Sequence, residues 1–127
     1  MSANETSGTI IDISVKIHRV LGPGLLESVY QRILAYELRK AGLEVETEVP
    51  VQVIWDGHVI DESFRADMIV NGKVLVELKS IEATKPLHRK QTLTYVRLAN
   101  LSLGLLINFG SHLLKDDIHR LANNIQE

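Results

Sequence analysis

Apolar residues recur at helical spacing through residues 9–21, where Ile10, Ile13, Ile17 and either Val20 or Leu21 share one side. Gly22-Pro23-Gly24 then stops the helix abruptly. A second stripe of Leu26, Val29, Tyr30, Ile33, Leu34 and Leu38 predicts a helix over 25–41, with Gly42 as its C-terminal stop. At Leu43 the period changes to two: Val45, Thr47, Val49, Val51 and Val53 alternate with Glu44, Glu46, Glu48 and Gln52, predicting a strand with one wet face. Asp56-Gly57 turns the chain back through 59–70, and Asn71-Gly72 turns it again into 74–80, giving three antiparallel strands.

Pro86 suits the first turn of a helix over 87–99 that places Leu87, Tyr95 and Leu98 on one face. Residues 103–109, Leu-Gly-Leu-Leu-Ile-Asn-Phe, are apolar at almost every position, as in a strand covered on both sides. A strand, helix and strand in succession imply a right-handed crossover, so 103–109 should run parallel to 74–80. Ile118, Leu121, Ala122 and Ile125 predict a closing helix over 115–125. The sum is an α/β fold: three antiparallel strands plus one parallel strand after a crossover helix, flanked by helices.

Composition narrows this without redirecting it. At 127 residues and 45% hydrophobic content the chain suits one domain spanning 1–127, with residues 1–8 as a flexible N-terminus. Its 14 Lys+Arg against 16 Asp+Glu leave a charge of -2, so any anion site must be a local patch. The absence of cysteine excludes disulfides, thiolate nucleophiles and Cys-based zinc sites. Neither a signal-peptide pattern nor an apolar run of about 18 residues occurs, so a cytoplasmic protein without a membrane segment is expected.

The candidate chemistry lies in the second hairpin. Alternation puts Glu77 and Lys79 on one face of their strand, roughly 7 Å apart. A two-residue loop at Asn71-Gly72 would leave Asp67 and Glu77 on opposite sides of the sheet; a three-residue loop, with Gly72 left-handed in a bulge, would bring them together. Two carboxylates on one face suit Mg²⁺, and an adjacent lysine can orient or deprotonate an attacking water and offset phosphorane charge. A salt-bridged surface face explains the same residue types equally well.

Asp67 followed after nine residues by Glu77-Leu78-Lys79, on a hairpin between a leading helix and a crossover helix, resembles the PD-(D/E)XK nuclease superfamily. Gly24-Leu25-Leu26-Glu27-Ser28-Val29-Tyr30 fits the GxxExxY signature of a bacterial and archaeal family within it, and FRADMIV, VELKS, His88 through Gln91 to Tyr95, and LGLLINFG extend the resemblance from about Ile11 to Ile118. Ala66 stands where the superfamily name has proline. The resemblance implies a restriction-endonuclease-like core in which Asp67 and Glu77 bind Mg²⁺ or Mn²⁺, Lys79 serves the water, and Glu27 adds an acidic ligand.

Glu27 also suits simple helix capping, at the third position after a Gly24 N-cap, and Tyr30 either fills the core or holds Glu27 in place. Gln91, four residues from both Leu87 and Tyr95, aims an amide at the apolar side of the crossover helix; the resemblance favours a bond to a site carboxylate or a metal-bound water, and a Gln on the edge of the stripe is the alternative. Lys85, His88, Arg89 and Lys90 crowd that helix's start against its dipole, which suggests a nucleic-acid backbone as partner; a solvated face is the plainer alternative. The expectation is phosphodiester hydrolysis of DNA or RNA, with homodimerisation or a partner protein extending a small surface. An inactive binding or assembly module on the same fold is the rival.

Overall fold

The computed structural model describes residues 1–124, and the side chains of all of these except 61–63. The first helix, α1, spans Ala3–Leu21. It starts early because Ser2 caps it: the Ser2 hydroxyl accepts from Glu5 N–H at 3.0 Å, and the Glu5 carboxylate accepts from Ser2 N–H at 3.2 Å. The start of the chain is therefore helix from Ala3 onward, not the flexible tail expected for residues 1–8.

Helix α2 (Glu27–Lys40) begins two residues later than the apolar stripe suggests, with Leu26 as an N-cap that offers no side-chain bond. Gly24 is not the cap. It sits at φ +118 within the connector, a conformation reserved for glycine. Leu26 and Val29, expected on the packed stripe, are exposed; Tyr30, Leu34, Ala35 and Leu38 make the buried face.

Strands β1 (Val45–Trp55), β2 (His58–Val70) and β3 (Val74–Lys79) form the antiparallel meander. Helix α3 (Pro86–Leu98) then crosses over to β4 (Leu103–Asn108), which pairs parallel with β3 from Val74↔Leu103 to Lys79↔Asn108. A 3₁₀ turn at Leu114–Asp117 follows. The closing segment is a strand, β5 (Ile118–Ala122), antiparallel to β4 from Ile107↔Ile118 to Leu103↔Ala122. A helix there would leave the N–H and C=O groups of fully buried β4 unpaired on one side, so sheet pairing overrides the helical spacing of Ile118, Leu121 and Ala122. Ile125 lies outside the described residues. The sheet order is β1-β2-β3-β4-β5, a mixed sheet flanked by helices.

Two apolar layers sandwich that sheet. On one face Met68, Val76, Leu78, Leu105 and Ile107 pack with Ile10, Ile17, Tyr30, Leu34 and Leu38 of α1 and α2. On the other, Val51, Ala66 and Leu75 pack with Val96 of α3. Helix α3 buries Thr92 and Val96 rather than the expected Leu87 and Leu98; Leu87 is 70% exposed. Its close approach depends on Gly104 of β4, where an added Cβ would lie 2.3 Å from Val96 Cγ2. Among the described residues no helix is long and apolar enough to cross a membrane.

Candidate active site

The Asn71-Gly72 turn decides the hairpin register. Both residues are left-handed, at φ 54 and φ 61, and Lys73 N–H donates to the Val70 carbonyl at 3.0 Å. Pairing resumes at Val70↔Val74, so three residues fill the loop and Lys73 is the extra one. Continuing that register past Met68↔Val76 sets Asp67 opposite Glu77. The backbone ladder ends there, and side chains take over its bonds. Asp67 N–H donates to Glu77 Oε1 at 3.3 Å, and Leu78 N–H donates to Asp67 Oδ2 at 2.8 Å.

The two carboxyls are thereby brought together in a half-dry site, with Glu77 only 8% exposed. Burial and then the neighbouring Asp67 charge push the Glu77 carboxyl up to about 9. Burial also raises Asp67, against the hydrogen bond from Leu78 N–H; the Glu48 charge adds to the rise and Lys79 opposes it. Lys79 is half-buried on the same strand, and its charge works to lower both acids against the effect of burial. A largely buried pair of carboxyls that cannot both ionise without repulsion is a donor set that a hard dication fits, because the cation relieves that repulsion.

Helix α3 supplies one wall. Tyr95 stacks on Phe64 of β2 with ring centroids 3.7 Å apart and 12° between planes. Burial and then the Glu77 charge raise its hydroxyl pKa, while the Gln91 amide beside it works the other way. Gln91 itself is exposed at the edge of the helix. At the helix start, Lys85 N–H donates to His88 Nδ1 at 2.9 Å, so that imidazole serves as a cap where an acidic residue is absent. Lys85 and Lys90 are exposed and Arg89 half-buried. Among the described residues the one ion pair is His119 with Asp117, leaving the three cations of this patch without a close acidic partner.

The Gly24-to-Tyr30 segment lies at the far end of β3, where Ser80 Oγ donates to the Leu25 carbonyl. Tyr30 is a core residue stacked on Phe109 at 4.5 Å, and its hydroxyl bridges the Gly22 carbonyl (2.5 Å) and Leu25 N–H (3.2 Å). It holds the connector's backbone, not the Glu27 carboxylate. Glu27 is exposed at the first position of α2, and among the described residues no three His, Cys, Asp or Glu side chains gather closely enough to hold a metal. One turn on from Glu27, Gln31 Nε2 donates to Glu48 Oε1 at 3.3 Å, which links that helix face to the carboxylate whose charge reaches Asp67.

A polar cluster absent from the sequence reading fixes the β3–α3 connector. Asn108 is fully buried; its Nδ2 donates to the Ile81 carbonyl and to Asp117 Oδ2, both at 2.9 Å, and its Oδ1 accepts from Ile81 N–H at 3.1 Å. Asp117 accepts from Thr84 N–H at 2.8 Å and from the Thr84 hydroxyl, and pairs with His119 Nε2 at 2.8 Å. Burial alone would raise the Asp117 carboxyl, but the bonds from Thr84, Asn108 and His119 hold it down at about 2. The one sequence trace of this cluster is the i, i+2 spacing of Asp117 and His119, which shares a face only in a strand.

Comparison with known proteins gives a consistent frame. A model of the PD-(D/E)XK nuclease superfamily matches residues 4–121. The crystal structure of SSO0001 is similar in fold, with a TM-score of 0.54 at 22% identity over 79% of this chain and 52% of that one. The chain thus spans about half the length of that structure. No curated protein matches.

Proposed function

The chain belongs to the PD-(D/E)XK nuclease superfamily, and we propose that it is a metal-dependent nuclease of the GxxExxY family, acting on DNA or RNA in the cytoplasm. The observation that carries this reading is the pair of bonds where the β2–β3 ladder ends, Asp67 N–H to Glu77 Oε1 and Leu78 N–H to Asp67 Oδ2, which hold the two carboxyls side by side. Asp67 and Glu77 would hold Mg²⁺ or Mn²⁺, which when bound supplies Lewis-acid stabilisation of charge on the scissile phosphate. Glu27, exposed at the first position of α2, would join them as a further acidic ligand only if its side chain swung toward the pair when the metal binds.

Each acid uses one oxygen on a backbone N–H, which fixes its orientation before substrate arrives. Lys79 on the same face orients the attacking water and offsets developing negative charge. Gln91, beside the Tyr95 hydroxyl, helps position that water, while Lys85, His88, Arg89 and Lys90 lie along the path of the phosphate backbone.

The test is cleavage of single- and double-stranded DNA and RNA in Mg²⁺ or Mn²⁺, with calorimetric metal titration alongside. Asp67→Ala and Lys79→Ala should each reduce cleavage by about 100-fold or more. Asp67→Ala should also abolish metal uptake, whereas Lys79→Ala should retain it. Metal uptake by the unaltered chain without any cleavage would instead favour a binding module.

A further inference from the structure

Beyond the first pair of strands' packed base, the β1–β2 hairpin runs out into a tip with no cover. Trp55 is 75% exposed, and Ile54, Val59 and Ile60 beside it are exposed as well. The registered pairs Val53↔Ile60, Ile54↔Val59 and Trp55↔His58 put apolar side chains on both faces of the tip. Apolar density of this kind at a hairpin end marks a contact surface. Its chemistry excludes a phosphate backbone as the partner, because no Lys or Arg occurs between Val45 and Phe64, and Glu46, Glu48 and Asp56 are exposed along it. Strand-edge pairing is blunted too, by Pro50 and by left-handed Glu48 in β1.

A matching recess lies on the opposite layer. Between α1 and α2 an open groove of about 610 Å³ is lined by Ile13, Ile17, Val20, Leu21 and Ile33, with Val20 83% exposed. Its lining also carries exposed Lys16 and Lys40 and half-buried Glu37. The groove is apolar with two lysines against one glutamate in its lining; the tip is apolar with exposed Asp56 at its turn. Knob and recess therefore complement each other in character and charge on one chain.

We propose that the α1–α2 groove receives the β1–β2 hairpin tip of a second copy of this chain, the two copies exchanging tips about a two-fold axis. Reciprocal exchange closes the assembly at two, whereas a one-way contact of tip into groove would propagate. Trp55, the chain's one tryptophan, is the central anchor, and Asp56 faces the rim lysines.

Sedimentation velocity and Trp55 emission over a micromolar concentration series test this. The expected result is twice the monomer mass with a concentration-dependent blue shift of emission. Trp55→Glu and Val20→Glu, both at exposed positions, should each give a folded monomer by circular dichroism, and Val20→Glu should abolish the blue shift although it lies in another element. Lys16→Glu with Lys40→Glu should weaken association roughly tenfold, and Asp56→Lys added to that pair should restore it. A wild-type monomer at the highest concentration would overturn the proposal. So would a dimer indifferent to Val20→Glu, which would mean tips pairing with tips, or growth beyond two copies. A blue shift produced by an oligonucleotide and not by protein concentration would likewise overturn it.

Discussion

Glu77 shows how a single side chain can set two behaviours at once. Its ordinary value is 4.5 and burial beside Asp67 raises it to about 9, so the folded, metal-free protein retains a proton that the unfolded chain has released. The stability it contributes is fully present below 4.5, declines as pH rises, and is gone above about 9. Thermal midpoints of the metal-free protein should therefore fall with pH across that window, and Glu77→Gln should flatten the fall, melting on the order of 5 °C higher at pH 8. Mg²⁺ should bind more tightly as pH rises, with proton release measurable by calorimetry in buffers of different ionisation enthalpy. Asp117 behaves oppositely. Held at about 2 against an ordinary 3.8, it contributes stability that is present above 3.8 and lost as pH falls toward 2. Asp117→Asn should remove that acid sensitivity, at a cost of about 2 kcal/mol near neutrality by urea unfolding.

At the scale of elements, the placement of α3 rests on Gly104. Gly104→Ala should destabilise the fold by about 1–3 kcal/mol, because the new methyl meets Val96 Cγ2, and Val96→Ala in the same chain should recover part of the loss. A double-mutant cycle in urea measures that coupling. Tyr30→Phe should cost about 1 kcal/mol by releasing the Gly22 carbonyl and Leu25 N–H, with the core stacking on Phe109 kept. The elements that were legible in the sequence are those whose period and punctuation agree. The Val45-to-Lys79 meander has alternation, Asp-Gly and Asn-Gly together; the pattern puts Glu77 and Lys79 on one strand face but leaves open whether Asp67 joins them, which the three-residue loop decides. What misleads is spacing without punctuation. Ile118, Leu121 and Ala122 suit a helix locally, yet the open edge of β4 needs a strand. Thr84, Asn108 and Asp117 are tied across 9 to 33 residues, a range that no local pattern encodes.

For the whole molecule, one sheet separates two kinds of work. The α3 face carries the acid pair, Tyr95 and the basic helix start; the α1–α2 face carries the bulk of the core and the apolar groove. Substitutions at the groove rim such as Lys16→Glu should accordingly leave metal uptake by Asp67 and Glu77 unchanged, as calorimetry at a concentration holding the protein monomeric would verify. The turn at Asn71, Gly72 and Lys73 carries a constraint of a different order. The proposed metal site depends on the parity of this loop: with an odd count Asp67 and Glu77 share a face, and with an even count they are separated by the thickness of the sheet. Point changes there should be mild so long as the left-handed backbone is kept, but deletion of Lys73 alone should silence metal uptake while most of the fold survives. The proposed site would thus tolerate changes in the composition of that turn better than a change in its length, and one missing codon could dismantle it without touching Asp67, Glu77 or Lys79.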